Sequence, residues 1–428
     1  MEKITPKQNW IQRNYHWVVF LAAFLSFFVA VGMKNNLYAM FLIPITEDLQ
    51  ISRGAFSLAP SIRYFASFLS NLAFAVIYQR YGYRRTTTLA MISMGLTFVL
   101  YSSAQSVLPF YIGAVIGGLF EPYYATACTS RIVREWFHRR QGTIIGIVMA
   151  ASGLGTSLFS GMLTGVTQKS SWRTAQLLTA GIFFVAALVV FCFVVDSPAK
   201  KGLRPWGEGE EKEQQAARAQ KKETVMIPKQ VLHSRPYFYL MILGAFLSCC
   251  IVCGVYSLIP AHVEDQGMTP AMAALIQSIM FLLLAGSKVM VGAFCDWIGA
   301  KRVMIICLIC SVIGMAVLAA VRTPWLAILG ATVFALPMSI PSVMLPLLTS
   351  DVFDHGNYGY VLGITLAMVS LGGAIGGPAI NFSYDLLGSY TPAFFVLSGL
   401  SAVTLAVYLV AFRGAAREKK QMEEAKNA

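Results

Sequence analysis

Five ionisable side chains stand inside stretches that are otherwise apolar: Lys34, Arg63, Glu121, Arg131 and Lys288. A charge at the centre of a hydrocarbon layer costs about 2.5–3.5 kcal/mol on insertion scales, so each needs a compensating role. Arg131 lies close to the polar end of its stretch and can reach out of it, so it reads as structural or interfacial. The other four are three cations and one acid. An excess of buried positive charge is unfavourable unless an anion visits it. Arginine can grip a carboxylate through two parallel hydrogen bonds, and lysine offers a compact point charge. The chemistry expected of the set is therefore recognition of a small organic anion. Tyr38, Tyr124 and Tyr256, on the same or neighbouring stretches, could orient a carboxylate with their hydroxyls. Glu121, followed by Pro122, has two open readings: a carboxylate that carries a coupling proton, or a fixed counter-ion to Lys34 or Arg63.

The elements that must position these residues follow from composition. The 428 residues are 57% hydrophobic and only 12% charged, where a soluble domain carries about 25% charged residues. Apolar runs of about 20 residues succeed one another between short polar breaks, the pattern of a multi-pass helical membrane protein. Twelve spans are expected, at 16–43, 54–79, 86–106, 108–136, 141–167, 173–195, 236–260, 270–295, 302–321, 325–350, 358–383 and 392–412. The first run is too long for a signal-peptide core and is kept as a helix. Residues 196–235 are too polar to span, and they divide the chain into halves at 1–195 and 236–428.

Charge placement orients the spans. If the N-terminus is cytoplasmic, the inner segments hold 25 Lys and Arg and the outer loops four (Arg53, Lys169, Arg173 and Arg322). Both termini are thus expected in the cytoplasm, with the chain in the cell membrane. The net charge of +13 is then a topology signal, not a nucleic-acid footprint. Lys34 and Arg63 fall in the outer half of their spans and Lys288 in the inner half. Lys34 or Arg63 is expected to meet the substrate from outside, and Lys288 from inside. The plainer alternatives are outward snorkelling for Lys34, a pair with Glu121 or a helix C-terminus for Arg63, and snorkelling toward the cytoplasm or a pair with Asp296 for Lys288. The eight cysteines lie in or at the ends of apolar runs and read as buried packing.

The chain repeats itself. Glu47-Asp48 and Glu264-Asp265, Gly82 and Gly299, Gly142 and Gly359, Gly146 and Gly363, and Thr174 and Thr391 are each separated by 217 residues. The fold expected is an all-α membrane protein of twelve transmembrane helices in two parallel six-helix pseudo-repeats, an architecture in which halves rock about a midplane site.

The second repeat contains Gly292-x-x-x-Asp296-x-x-Gly299-x-Lys301-Arg302, and the first a changed copy with Ala75 and Gln79 in place of Gly and Asp. This stretch resembles the signature loop of the major facilitator superfamily. Pro44 to Leu58 and Trp136 to Gly155 resemble its prokaryotic monocarboxylate-porter and oxalate/formate-antiporter branches. The resemblance implies that spans 1, 4, 7 and 10 line a cavity and spans 2, 5, 8 and 11 form the interface between halves. It implies gating roles for Asp296, Lys301 and Arg302 at the inner face, with a weaker latch where Gln79 replaces the acid. It also implies a substrate-facing cation in span 8, where Lys288 stands four residues before Gly292. Two departures limit the transfer: Leu284 replaces the acid often found one turn earlier, and 358–383 carries no cation.

The expected function is secondary active transport of a small organic anion, foremost a monocarboxylate, by proton symport or anion exchange. The expected partners are that anion, a proton in the symport case, and the lipid bilayer, with the protein a monomer and no cofactor or metal. A carrier of neutral solutes or drugs is the alternative within transport. A non-transporting membrane sensor is the alternative of another class. No nucleophile–base set, metal cluster or phosphate loop suggests an enzyme.

Overall fold

The computed structural model describes residues 14–207, 233–256, 259–353, 357–387 and 389–427, with the side chains of some of these, including Tyr38 and Tyr256, outside the description. The N-terminal half begins with α1 (Tyr15–Asp48). Arg53–Ser102 is continuous except at Gly82, whose φ of 75° breaks it into α2 (53–81) and α3 (83–102). α4 runs as Leu108–Phe120, a 3-10 turn Glu121–Tyr123, and Thr126–Trp136. α5 (Gln141–Lys169) and α6 (Trp172–Phe193) complete the half.

The C-terminal half follows the same order. α7 is Pro236–Tyr256 with a short continuation Ile259–Asp265. α8 (Pro270–Ile298) and α9 (Ala300–Ala319) are joined at Gly299, with φ 88°. α10 is Pro324–Ala335, a 3-10 turn Pro337–Ser339, a π segment Ile340–Met344 and Leu345–Val352. α11 (Tyr358–Leu387) and α12 (Thr391–Asn427) close the chain. The two left-handed glycines explain one of the repeat's landmarks. A Cβ is disfavoured at positive φ, so both sharp reversals, 217 residues apart, use glycine.

Ten helices are long and apolar enough to cross a membrane among the described residues. One of them, Leu58–Ser102, holds two spans folded at Gly82. The interrupted α4 supplies the remaining span, giving the twelve expected. The largest departure is at the end. α12 was expected to stop near residue 412 but continues to Asn427, because Arg413 to Lys426 is rich in Ala, Glu, Lys and Arg, all strong helix formers. Glu418 on this extension pairs with Arg235 at 2.7 Å. Of the polar central segment, residues 208–232 lie outside the described residues. Its first part folds back onto the N-terminal half: Trp206 N–H donates to Trp136 O (2.9 Å) and His138 N–H to Trp206 O (3.0 Å).

The end of the bundle carrying Arg84, Arg139 and Lys301 is called the basic face below, and its opposite the far face. At the basic face a single apolar core spans both halves: Ile144, Ile145 and Trp136 of one half share it with Val291, Met344, Leu348 and Phe353 of the other. Toward the far face, the core around Val255, Ile276, Met315, Phe334 and Phe394 belongs to the C-terminal half alone. Among the described residues the halves are thus joined at the basic face.

At the far face Asp48 accepts hydrogen bonds from Arg173 (2.5 Å) and Trp172 (3.1 Å), which hold its carboxyl below the usual carboxylate range. A depressed carboxylate contributes stability above its unfolded pKa of about 3.9 and loses it as pH falls through the folded value. Thermal melts of the solubilised protein from about pH 6 down to pH 3 should therefore show Asp48→Asn less stable at the upper end and converging with wild type at the acid end. A gap that does not change with pH would remove this role.

Candidate substrate site and gate

The site is built around the break in α4. Pro122 has no N–H to donate, and its ring would crowd the preceding turn. The helix tightens into the 3-10 turn there, with Tyr124 N–H donating to Glu121 O at 3.3 Å. Gly118, one turn earlier, lies so close to α2 that a Cβ would overlap the Arg63 carbonyl. The missing side chain brings α4 against α2 and sets Glu121 between two cations. Lys34 Nζ of α1 reaches Glu121 Oε1 at 2.5 Å, and Arg63 Nη1 of α2 reaches Oε2 at 2.9 Å. The three side chains are 8–13% exposed. The Arg63 guanidinium also lies over the Tyr64 ring, 4.7 Å from its centroid.

Lys288 approaches from the other half. Its backbone packs on Gly146 of α5, and its Nζ donates to Ser152 Oγ (2.7 Å) and Met149 O (3.3 Å). The residue is 7% exposed, and no carboxylate lies within ion-pair distance of it among the described residues. It lies within Coulombic reach of Lys34. The site therefore joins a triad of net charge +1 to an ammonium solvated only by neutral oxygens. Glu121, Arg63 and Lys34 come together, as one of the readings for each allowed, whereas Lys288 does not pair with Asp296.

The remaining assignments fall differently. Tyr124 is buried, with its hydroxyl 3.5 Å from Gly117 O, so the contact it makes supports the α4 bend. The side chains of Tyr38 and Tyr256 lie outside the described residues. Arg131 pairs with Glu135 at 3.2 Å and lies against Gly359 of α11, an interfacial position. Ser152 was not singled out from sequence. Its signal was its place beside Gly153 on the face of α5 that carries Gly142, Gly146 and Met149, but only the α5–α8 contact shows what that face meets.

Among the described residues Asp296 does not pair with a cation. Its carboxylate accepts from Gly142 N–H (2.8 Å), Thr143 N–H (2.7 Å) and the Thr143 hydroxyl (2.7 Å), capping the first turn of α5 across the boundary between halves. Orphan N–H groups and the positive end of the helix dipole make this a natural carboxylate site. Lys301 and Arg302, at the start of α9, join no ion pair among the described residues. On the mirror-related side, where Gln79 stands, Arg131 and Arg134 of α4 meet α11, with the Arg134 guanidinium 4.0 Å from the Tyr358 ring centroid. The N-terminal reversal has its own carboxylate: Asp196 accepts from Arg84 N–H (2.8 Å) and from Lys200 (2.6 Å), within one half.

A membrane bundle of two equivalent halves, closed at one face around buried charges, is the form of a secondary transporter. The family comparison agrees: a model described as Major Facilitator Superfamily matches residues 19–298 and 254–427, and the chain belongs to that superfamily. It is 23% identical over 373 residues to a hexuronate transporter of Bacillus subtilis (strain 168), covering 83% of this chain and 85% of the relative. It is 24% identical over 343 residues to monocarboxylate transporter 12-B of Danio rerio, covering 74% and 70%. Among solved structures, a proton:xylose symporter, XylE, superposes with a TM-score of 0.71 at 16% identity, over 92% of this chain and 94% of that one. The chain is a transporter, not an enzyme, and no group of three or more His, Cys, Asp or Glu suited to a metal occurs among the described residues.

Proposed function

We propose that this protein carries a small organic carboxylate, a monocarboxylate foremost, across the cell membrane by alternating access. The observation that carries the reading is Lys288, a buried ammonium in α8 whose contacts are a hydroxyl and a carbonyl. A buried cation without a counter-ion is costly, and a carboxylate entering between Lys288 and the Lys34–Arg63–Glu121 triad offsets that cost. Two relatives whose names specify hexuronate and monocarboxylate support an acid as substrate. The basic face is the cytoplasmic one in this reading, with both termini inside, on the strength of the Lys and Arg bias. The Asp296 cap then latches the outward-open form. Coupling is by proton symport or by exchange, and Glu121 is the carboxylate placed to carry the proton in the first case.

The test is uptake into proteoliposomes of radiolabelled lactate, pyruvate, oxalate, formate, acetate and a hexuronate, with and without an inward proton gradient. Losing one partner of a buried charged contact typically costs 2–5 kcal/mol. Lys288→Gln is therefore expected to reduce uptake of the transported acid at least about thirtyfold. Stimulation by the gradient separates symport from exchange. Full activity in Lys288→Gln, or no uptake of any acid, overturns the reading in favour of a neutral solute.

A further inference from the structure

The wall of the charged site contains a feature that anion transport does not use. Cys249 and Cys253 stand one turn apart on α7, facing the same way, with their sulfurs 3.5 Å apart. Cys249 is 2% exposed and packs on Gly372 of α11, while Cys253 is half-buried. Cys253 lies close enough to Tyr64, Lys34 and Arg63 to interact with them electrostatically. Tyr64 is the ring beneath the Arg63 guanidinium, and its other edge meets Gly373. The thiol pair therefore looks across the boundary between halves at the triad.

The spacing selects a ligand. A disulfide needs Cβ atoms about 3.5–4.5 Å apart, and residues four apart on a helix hold theirs at about 5–6 Å. Direct oxidation of the pair is thus disfavoured by the helix itself. An atom that bonds both sulfurs while leaving them near contact distance meets no such obstacle, and trivalent arsenic is such an atom. We propose that Cys249 and Cys253 form a dithiol site for trivalent arsenicals in the wall of the transport site, and that its occupation blocks transport. With an arylarsine oxide the arsenic remains trivalent. Two As–S bonds form, the two S–H bonds and the As–O bond break, and both thiol protons leave with the oxygen as water. The labelling needs no assumption about the substrate, whereas the effect on uptake rests on the function proposed above.

The experiment is intact-protein mass spectrometry of the full chain after exposure to phenylarsine oxide or its 4-carboxy derivative. One bridged adduct is expected. It should be absent in both Cys249→Ser and Cys253→Ser, present in Cys250→Ser, and removed by a 1,2-dithiol. An adduct that survives either of the first two substitutions overturns the site. Because a cationic cleft raises the encounter rate of an anionic reagent by about tenfold or more, the carboxylated reagent is expected to label faster than the neutral one. That preference should collapse in Lys34→Met, a variant that keeps the neutral Arg63–Glu121 pair. Equal rates in wild type would overturn the placement beside the triad. Labelled wild type should lose uptake and treated Cys253→Ser should keep it; undiminished uptake in fully labelled protein would overturn the block. Should no acid be transported at all, the transport reading fails while the adduct and its charge preference stand or fall by themselves.

Discussion

Glu121→Ala is expected to yield little folded protein, and what survives should melt roughly 5–10 °C below wild type. The substitution leaves Lys34 and Arg63 side by side, 11% and 8% exposed, with no carboxylate between them. Breaking a buried ion pair from one side costs about 3–5 kcal/mol, a large part of a typical folding free energy of about 5–15 kcal/mol. Lys34→Met is the informative contrast. It leaves one cation and one anion in contact, so its melting point should stay near wild type. Thermal melts of the three proteins in one detergent check the order. Glu121→Gln divides the two roles of the acid further. If Glu121→Gln proteoliposomes lose gradient-driven accumulation yet keep exchange, the proton-carrying role gains; if the protein is simply lost, the counter-ion role accounts for the residue. A stable, fully coupled Glu121→Gln would contradict both.

Gly142→Val is expected to leave the protein folded but unable to close its basic face. Gly142 of α5 and Gly292 of α8 touch backbone to backbone, and a Cβ on either would overlap the other's carbonyl. Overpacking typically costs about 1–3 kcal/mol, and two helix backbones have less room to give than side chains. That cost falls on the closed arrangement alone, so the balance between the two faces should shift roughly 5- to 150-fold toward opening at the basic face. Distances between spin labels placed on the basic ends of α5 and α8 should lengthen accordingly. Gly286→Val is the control, since a Cβ at Gly286 meets nothing within 4 Å. An unchanged distance distribution in Gly142→Val would show that the glycine contact does not govern closure.

The parts of the molecule legible in sequence are those fixed by local chemistry or by repetition. Long apolar runs have one solution in a bilayer, and the 217-residue offset carries the first half's architecture to the second. The break in α4 at Pro122 was not read, since 108–136 was expected as one span. The pairing of Glu121 with Lys34 or Arg63 was one open reading among several, and the Ser152 and Met149 contacts of Lys288 were not read. Glu121 is 87 residues from Lys34 and 58 from Arg63, and nothing in the chain distinguishes that pairing from one across the halves. Asp296 was expected to gate at the inner face or to pair with Lys288. Only the packing of α8 on α5 selects the first turn of α5, because the glycines that permit the approach look alike wherever they occur. The return of Trp206 onto Trp136 could not be read at all, since Leu203 and Trp206 stand isolated among charged residues and show no period.

The single apolar core shared by both halves at the basic face has a calorimetric consequence. For that face to open, Val291, Met344 and Leu348 must part from Ile144 and Ile145, and water must wet surfaces that were dry. Wetting apolar surface raises heat capacity. The equilibrium between the two faces should therefore bend with temperature instead of following a straight van't Hoff line, and a carrier of this build would answer warming and cooling unequally on its two sides.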